Sequence, residues 1–383
     1  MTGATGATRW PRLTRGLGGR WRAFRRTPYF AAAVVSLLVA ASAAAFAGCY
    51  TYALANPTPR HIPVAVVGHP PPADGPQPGG WEVPPGRCPQ AQACDFVDAL
   101  ERGLGADLSI HRYADYPQAV DAVESQSVFA ILRGQDRRVE MDVASAAGAT
   151  VAELLTRQGP PAAKAAGVKI EVRDIKPLQS GDPRGLAVFY ITIAAVIMGF
   201  LGTVQLAVNV PALRPAERVA FVVGYAALGA LAIVAVVDWW LGALEMPVAQ
   251  SWGILALTMF TSGMVYAMFN TLFGRWALLP TWGLMVMLGN PSSGGAVSWP
   301  LLPTALGVIG RWLPPGASVD AQHTAIYFPG HQHARPYLVL AGWALVSCVV
   351  FWILRDRRPG GRRGASNGAT GKSPGGDDPR GSS

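Results

Sequence analysis

Six long stretches of this chain carry no charged side chain: 30–56, 186–212, 219–237, 251–274, 276–310 and 337–354. A bilayer core ~30 Å thick is crossed by about 20 helical residues at 1.5 Å each. Backbone groups cannot stay unpaired in lipid, so helices are the structures to expect. The pattern predicts membrane helices over 30–55, 186–210, 219–241, 251–274 and 337–354. A short fifth one is expected over 276–289, because "NPSSGGAVSWPLLP" (290–303) supplies Gly, Pro and Ser directly after it.

Charge assigns the sides. Residues 1–29 hold seven arginines and no acid, and 355–383 hold seven basic residues against three acids. Segment 56–184 has 13 basic and 16 acidic residues, so the net charge of +9 comes from the two ends. That distribution fits cytoplasmic termini of a plasma-membrane protein rather than nucleic-acid binding. The short loop with Arg214 and Arg218 and the turn at Arg275 fall inside. Segment 56–184, "EMPVAQ" and 290–335 fall outside, with Arg311 and Arg335 against the rule. "ASAAAFAG" (41–48) resembles a signal-peptidase site, but the apolar run continues past it, which favours an uncleaved anchor. "RRTPYF" lacks the remainder of a twin-arginine export signal.

The external segment alternates two periodicities. "IPVAVVG", "LSIHRYAD", "VFAILRG" and "VKIEVRDI" have strand character. "CDFVDALERGLG" and "YPQAVDAVESQ" have helical spacing. Thr150 and Glu153 form the pattern of a capping box at a helix start. The whole predicts a small extracytoplasmic α/β domain between the first two membrane helices, with 70–93 as a Pro- and Gly-rich loop. Cys88 and Cys94, on an oxidising side, are candidates for a disulfide closing "CPQAQAC". Cys49 and Cys348 fall in apolar runs, as small fillers.

Chemistry is sparse. "GATGKS" (368–373) resembles a phosphate-binding loop, but Ser366 stands where the motif needs Gly and Pro374 follows at once. The chain therefore supplies no ATP site of its own. There is no Gly-x-Ser-x-Gly elbow. "HQH" (331–333), with Asp320 or His323, is weighed against an ordinary polar surface loop, and the loop is preferred. Asp238 lies beside Trp239 and Trp240, where an interfacial acid is expected. No catalytic residue, cofactor or metal ligand is assigned, and an enzyme is not expected.

The layout is one span, a large external domain, five further spans and cytoplasmic ends. With "NPSSGGAVSWPLLP" and "RWLPPGASVDAQHTAIYF" (311–328), it resembles the permease subunit of type-2 ABC exporters. The resemblance is to the actinobacterial branch similar to the phage-infection-protein-like (YhgE/Pip) membrane proteins. It implies a separate ABC ATPase docking on the cytoplasmic face, a homodimer or heterodimer in the lipid bilayer, and export of a substrate left open, hydrophobic compounds included. It further implies that the chain dips back at the outer face as a gate. Asn290, Pro291, Gly294 and Gly295 would make the turn, and Trp299, Pro300 and Pro303 would set a re-entrant helix. Pro314 and Pro315 would end one, and Asp320 and His323 would sit where the chain climbs back. The competing expectation is a non-transporting membrane protein. Its external domain would bind an envelope component or a partner protein.

Overall fold

A computed structural model describes residues 28–55, 59–68, 81–82, 91–135 and 137–356. The chain divides into two compact units, Met1–Asn56 and Pro57–Ser383. In the first, α1 (Pro28–Tyr50) runs on into a wider turn at Thr51–Ala55. Mean apolarity is high around the whole of α1, as a helix in an apolar solvent requires.

The second unit opens with a mixed six-stranded sheet, in spatial order β2-β3-β1-β4-β5-β6. Its strands are β1 (Ile62–Val67), β2 (Trp81–Glu82), β3 (Leu108–Tyr113), β4 (Ala130–Gln135), β5 (Arg138–Val143) and β6 (Lys169–Asp174). Three helices lie between them: α2 (Ala91–Leu104), α3 (Tyr116–Glu124) and α4 (Ala149–Ala165). β1 is parallel to both β3 and β4. Its near-continuous apolar run, with Ile62, Val64, Ala65 and Val66 buried, is what a strand covered on both faces needs. β4 and β5 are antiparallel, with two residues between them. So short a connection permits only a hairpin, since a parallel crossover needs a dozen residues or more. One core joins Ala65 and Ile131 to Ala119, Ala122 and Val123 of α3. On the hairpin, Arg133 bridges Glu140 at 2.7 Å and the buried Asp142 at 3.0 Å.

The rest is helical: α5 (Ala187–Asn209), α6 (Pro215–Val234), α7 (Val248–Phe273), α8 (Leu278–Trp282), α9 (Thr304–Gly310), α10 (Pro314–Tyr327) and α11 (Arg335–Asp356). With α1, five helices are long and apolar enough to cross a membrane: Ser36–Leu54, Ala187–Asn209, Pro215–Trp240, Val248–Trp276 and Arg335–Leu354. The apolar stretch Leu278–Leu288, α8 with its continuation, is shorter. At 1.5 Å per residue it rises only about 16 Å. α7 is the hub, two-thirds buried along its apolar window and packed by α5, α6, α10 and α11. Its approach to α5 is close, because a Cβ at Gly199 would lie 2.5 Å from the Met259 carbonyl oxygen. The Tyr225 hydroxyl of α6 donates to the Gly199 carbonyl at 2.6 Å and pairs with Thr203.

Candidate functional site

The uncharged stretch after α8 is not an open loop. Asn290, Pro291, Ser292 and Ser293 are all buried. The turn closes on itself: the Ser292 hydroxyl donates to the Leu288 carbonyl, and Ser293 to that of Asn290, each at 2.7 Å. The Gly295 amide donates to the Ser293 hydroxyl. The Ser side chains thus replace the helix bonds that end at Leu288. α9 and α10 fold back on this turn. A Cβ at Gly310 would overlap the Ser292 carbonyl oxygen, and one at Gly289 would strike Pro315. Small residues here let three backbone segments meet closely.

Two expectations need correction. Pro314 and Pro315 do not end a helix; they open α10, preceded by Leu313 in an extended conformation. Proline fits the first helical turn because the amide it lacks has no partner there. Thr150 does not cap α4 either. Gly148 takes the cap position and makes no side-chain bond. Glu153 bridges Arg157 instead. The Thr150 hydroxyl reaches 148 residues along the chain. It donates to the Ser298 hydroxyl at 2.7 Å and accepts from the Ser298 amide at 3.0 Å.

That pair fastens the sheet domain to the returning chain, and further bonds flank it. Gln126 donates its amide to the Thr324 hydroxyl at 3.2 Å, and the Arg60 amide donates to the Pro300 carbonyl at 3.0 Å. The carboxylate of Asp182 accepts from the Leu186 and Ala187 amides, capping the start of α5. Between these contacts lies a cavity of about 90 Å³, lined by Gln126, Thr150 and Arg184 on one side and Gly294, Gly295, Trp299, Asp320 and His323 on the other. It has room for a few water molecules. Burial pushes the Asp320 carboxyl up from its ordinary range, opposed by the positive charge of His333, Arg335 and Arg311. Burial takes the His323 imidazole down to about 4, against a hydrogen bond to the Ala146 backbone. Its ring lines the cavity and sits 5.3 Å from Tyr327, which lines it too, and 5.8 Å from Phe328. Near neutral pH, His323 is therefore an uncharged plug.

Below the cavity α10 runs antiparallel to α7 along a polar seam. Gln322 donates to the Ser251 carbonyl at 2.8 Å, and Thr258 to the Ser318 hydroxyl at 2.7 Å. All four residues are fully buried. Among the described residues, the hydroxyl of Ser251 and the carbonyl oxygen of the Gln322 side chain have no hydrogen-bond partner.

No family model, curated protein or solved structure matches this chain.

Of the residues singled out in the sequence, Gly294, Gly295, Trp299 and Asp320 come together at the cavity. Asn290, Pro291, Pro314 and Pro315 build the sealed turn behind it. Pro303 stands apart, at the start of α9. Ser298, Gln126, the Ser/Thr seam and the Thr150 contact across the chain were not singled out in the sequence. A helical spacing of hydroxyls in α7 (251, 258, 261, 262) was the available signal. Asp238 lies in a wide turn at the sheet-domain end of α6, beside the exposed Trp239 and Trp240. Among the described residues no three His, Cys, Asp or Glu side chains converge to hold a metal ion. Cys88 and the stretch 368–373 lie outside the described residues.

Proposed function

We propose that this chain is the membrane-spanning permease subunit of an ABC-type exporter, with its ATPase on a separate chain. One observation carries the reading: the apolar path from Leu278 to Tyr327 is broken. A short helix stops in a sealed turn, and two further short helices return to the sheet domain. Irregular backbone is tolerated at membrane depth where protein or a wet cavity covers it, and transporters use broken helices at their substrate paths. The polar seam between α10 and α7 fits the same reading, since it fixes the returning helix to the central one through buried hydrogen bonds. In this arrangement the chain passes the plasma membrane six times, the fifth passage being incomplete. The α/β domain is extracytoplasmic and both termini are cytoplasmic. The ATPase would meet 1–29, the 211–218 loop and the turn at Arg275, and two permease subunits would assemble in the bilayer.

Affinity purification in mild detergent from native membranes tests the reading. An ABC ATPase recovered in near-stoichiometric amount is expected; its consistent absence would remove the export model. Topology has its own check in a chain freed of native cysteines. Glu171→Cys, exposed on the sheet edge, should react from outside intact cells and Ala365→Cys only after permeabilisation.

The second reading is a scaffold whose α/β domain binds an envelope component or partner. It is favoured by β6, an edge strand with Lys169, Glu171, Arg173 and Asp174 exposed and Ile170 and Val172 partly buried. Unpaired strand edges recruit partner strands. Recovery of envelope proteins without an ATPase would select it.

A further inference from the structure

Arg311 and Arg335 are the two arginines that break the positive-inside pattern, and the fold brings them to one place. Arg311 follows α9 and Arg335 opens α11, both on the side of the sheet domain. Arg311 lies 4.9 Å over the Trp299 ring and Arg335 lies 5.2 Å over the Trp312 ring. Asp320 is the carboxylate facing both, with His333 adding a third potential cation. Among the described residues, neither guanidinium has an ion-pair partner within 4.0 Å. Each arginine disfavours the charge of the other, and Asp320 offsets this only from beyond ion-pair distance.

Beneath Arg335 lies an apolar groove of about 490 Å³, lined by Trp312, Leu338, Val339, Gly342, Trp343 and Val346. Its floor is one face of α11, at spacings of three and four residues. The Trp343 indole donates to the Trp312 carbonyl at 2.8 Å, tying the two walls together. A Cβ at Gly342 would meet nothing within 4 Å, so the groove is open at its middle. Leu338 (68% exposed) and Val346 (54%) face outward. From Arg335 to Val346 the helix descends about 16 Å, close to half of a ~30 Å hydrocarbon core. The groove is thus one leaflet deep, apolar along its length and cationic at its rim.

We propose that this groove holds an anionic phospholipid of the leaflet on the sheet-domain side. Arg335 and Arg311 take its phosphodiester headgroup and an acyl chain lies against Gly342 and Trp343. Guanidinium forks suit phosphate oxygens, and the tryptophans at the rim fit the interfacial zone. The site does not depend on whether the chain transports anything.

The test is tryptophan quenching on the full chain in phosphatidylcholine nanodiscs. Acyl-brominated phosphatidylglycerol or acyl-brominated phosphatidylcholine is titrated in, and the Trp343 signal is taken as the difference from Trp343→Phe. Half-quenching is expected at about fivefold less brominated phosphatidylglycerol than phosphatidylcholine. Arg335→Gln should bring the two curves together, and Gly342→Leu, which fills the groove, should weaken quenching by both lipids. Equal wild-type curves would overturn the proposal, as would a preference that survives Arg335→Gln. Failure of either lipid to quench would also overturn it and point to a second copy of the chain in the groove. The wild-type comparison alone decides if a variant does not fold.

Discussion

The sheet domain and the helical bundle obey opposite rules of partition. In the sheet domain the interior is apolar, with one cluster centred on Ala65, Ile131 and Val123, and nearly all charge lies outside. Its deepest acid, Asp142, is held by Arg133. In the bundle, Ser251, Thr258, Ser318 and Gln322 are fully buried, while Leu228 (71% exposed), Leu338 and Trp240 (81%) point outward. One chain is built for two solvents. In water, burying a methylene is worth about 0.8 kcal/mol. Between helices in lipid that gain vanishes, and close packing and hydrogen bonds take its place.

The contrast is breakable by substitution. The largest effect is expected at the turn linking the two regimes. Gly310→Val should cost about 3 kcal/mol or more, because the new side chain drives into the Ser292 carbonyl. A thermal unfolding curve in detergent near that of the wild type would show the packing there to be loose. Next comes a matched pair. Ile131→Ala, fully buried in the central strand β4, should lose about 3 kcal/mol, and Leu338→Ala less than about 0.5. Equal losses in chemical denaturation would dissolve the distinction between the regions.

Acid sharpens the comparison at the junction. His323 titrates near 4 when folded, against 6.5 ordinarily. The unfolded chain therefore takes up the proton first, and stability falls as pH drops from about 6.5 to 4. Its contact with the cavity reduces the loss to roughly 1–2 kcal/mol. His323→Gln should flatten melting temperature against pH across that window; an unchanged slope would assign the dependence elsewhere. The smallest effect belongs to the seam. Thr258→Val removes the bond to Ser318 and should cost about 0.6 kcal/mol, as single polar contacts between membrane helices do. A loss above about 2 kcal/mol would mean the seam acts as a network.

Much of this was legible in sequence wherever the signal is local and repeated. Uncharged runs marked the long helices, and the apolar run of β1 marked a strand covered on both faces. What escaped was decided by distant neighbours. The Thr150–Glu153 pattern is a sound local cap, yet Ser298 outcompetes it from 148 residues away. The pair Pro314-Pro315 is compatible with either end of a helix, and only the extended Leu313 before it settles which. The cavity was half visible: Gly294, Trp299 and Asp320 sit in a conspicuous segment. Gln126 and Thr150 come from a different domain, and nothing in their own surroundings points across.

The glycine contact between α5 and α7 has a mechanical meaning. Two helices that meet backbone to backbone at Gly199, and share a core of Ile191, Ala195, Leu255 and Met259, resist sliding past each other. Bending is then left to the ends. There Gly242 and Gly274, both with positive φ, flank α7 as ready-made hinges. A force applied at the sheet domain would reach the far ends of α5 and α7 together, with little slack between them.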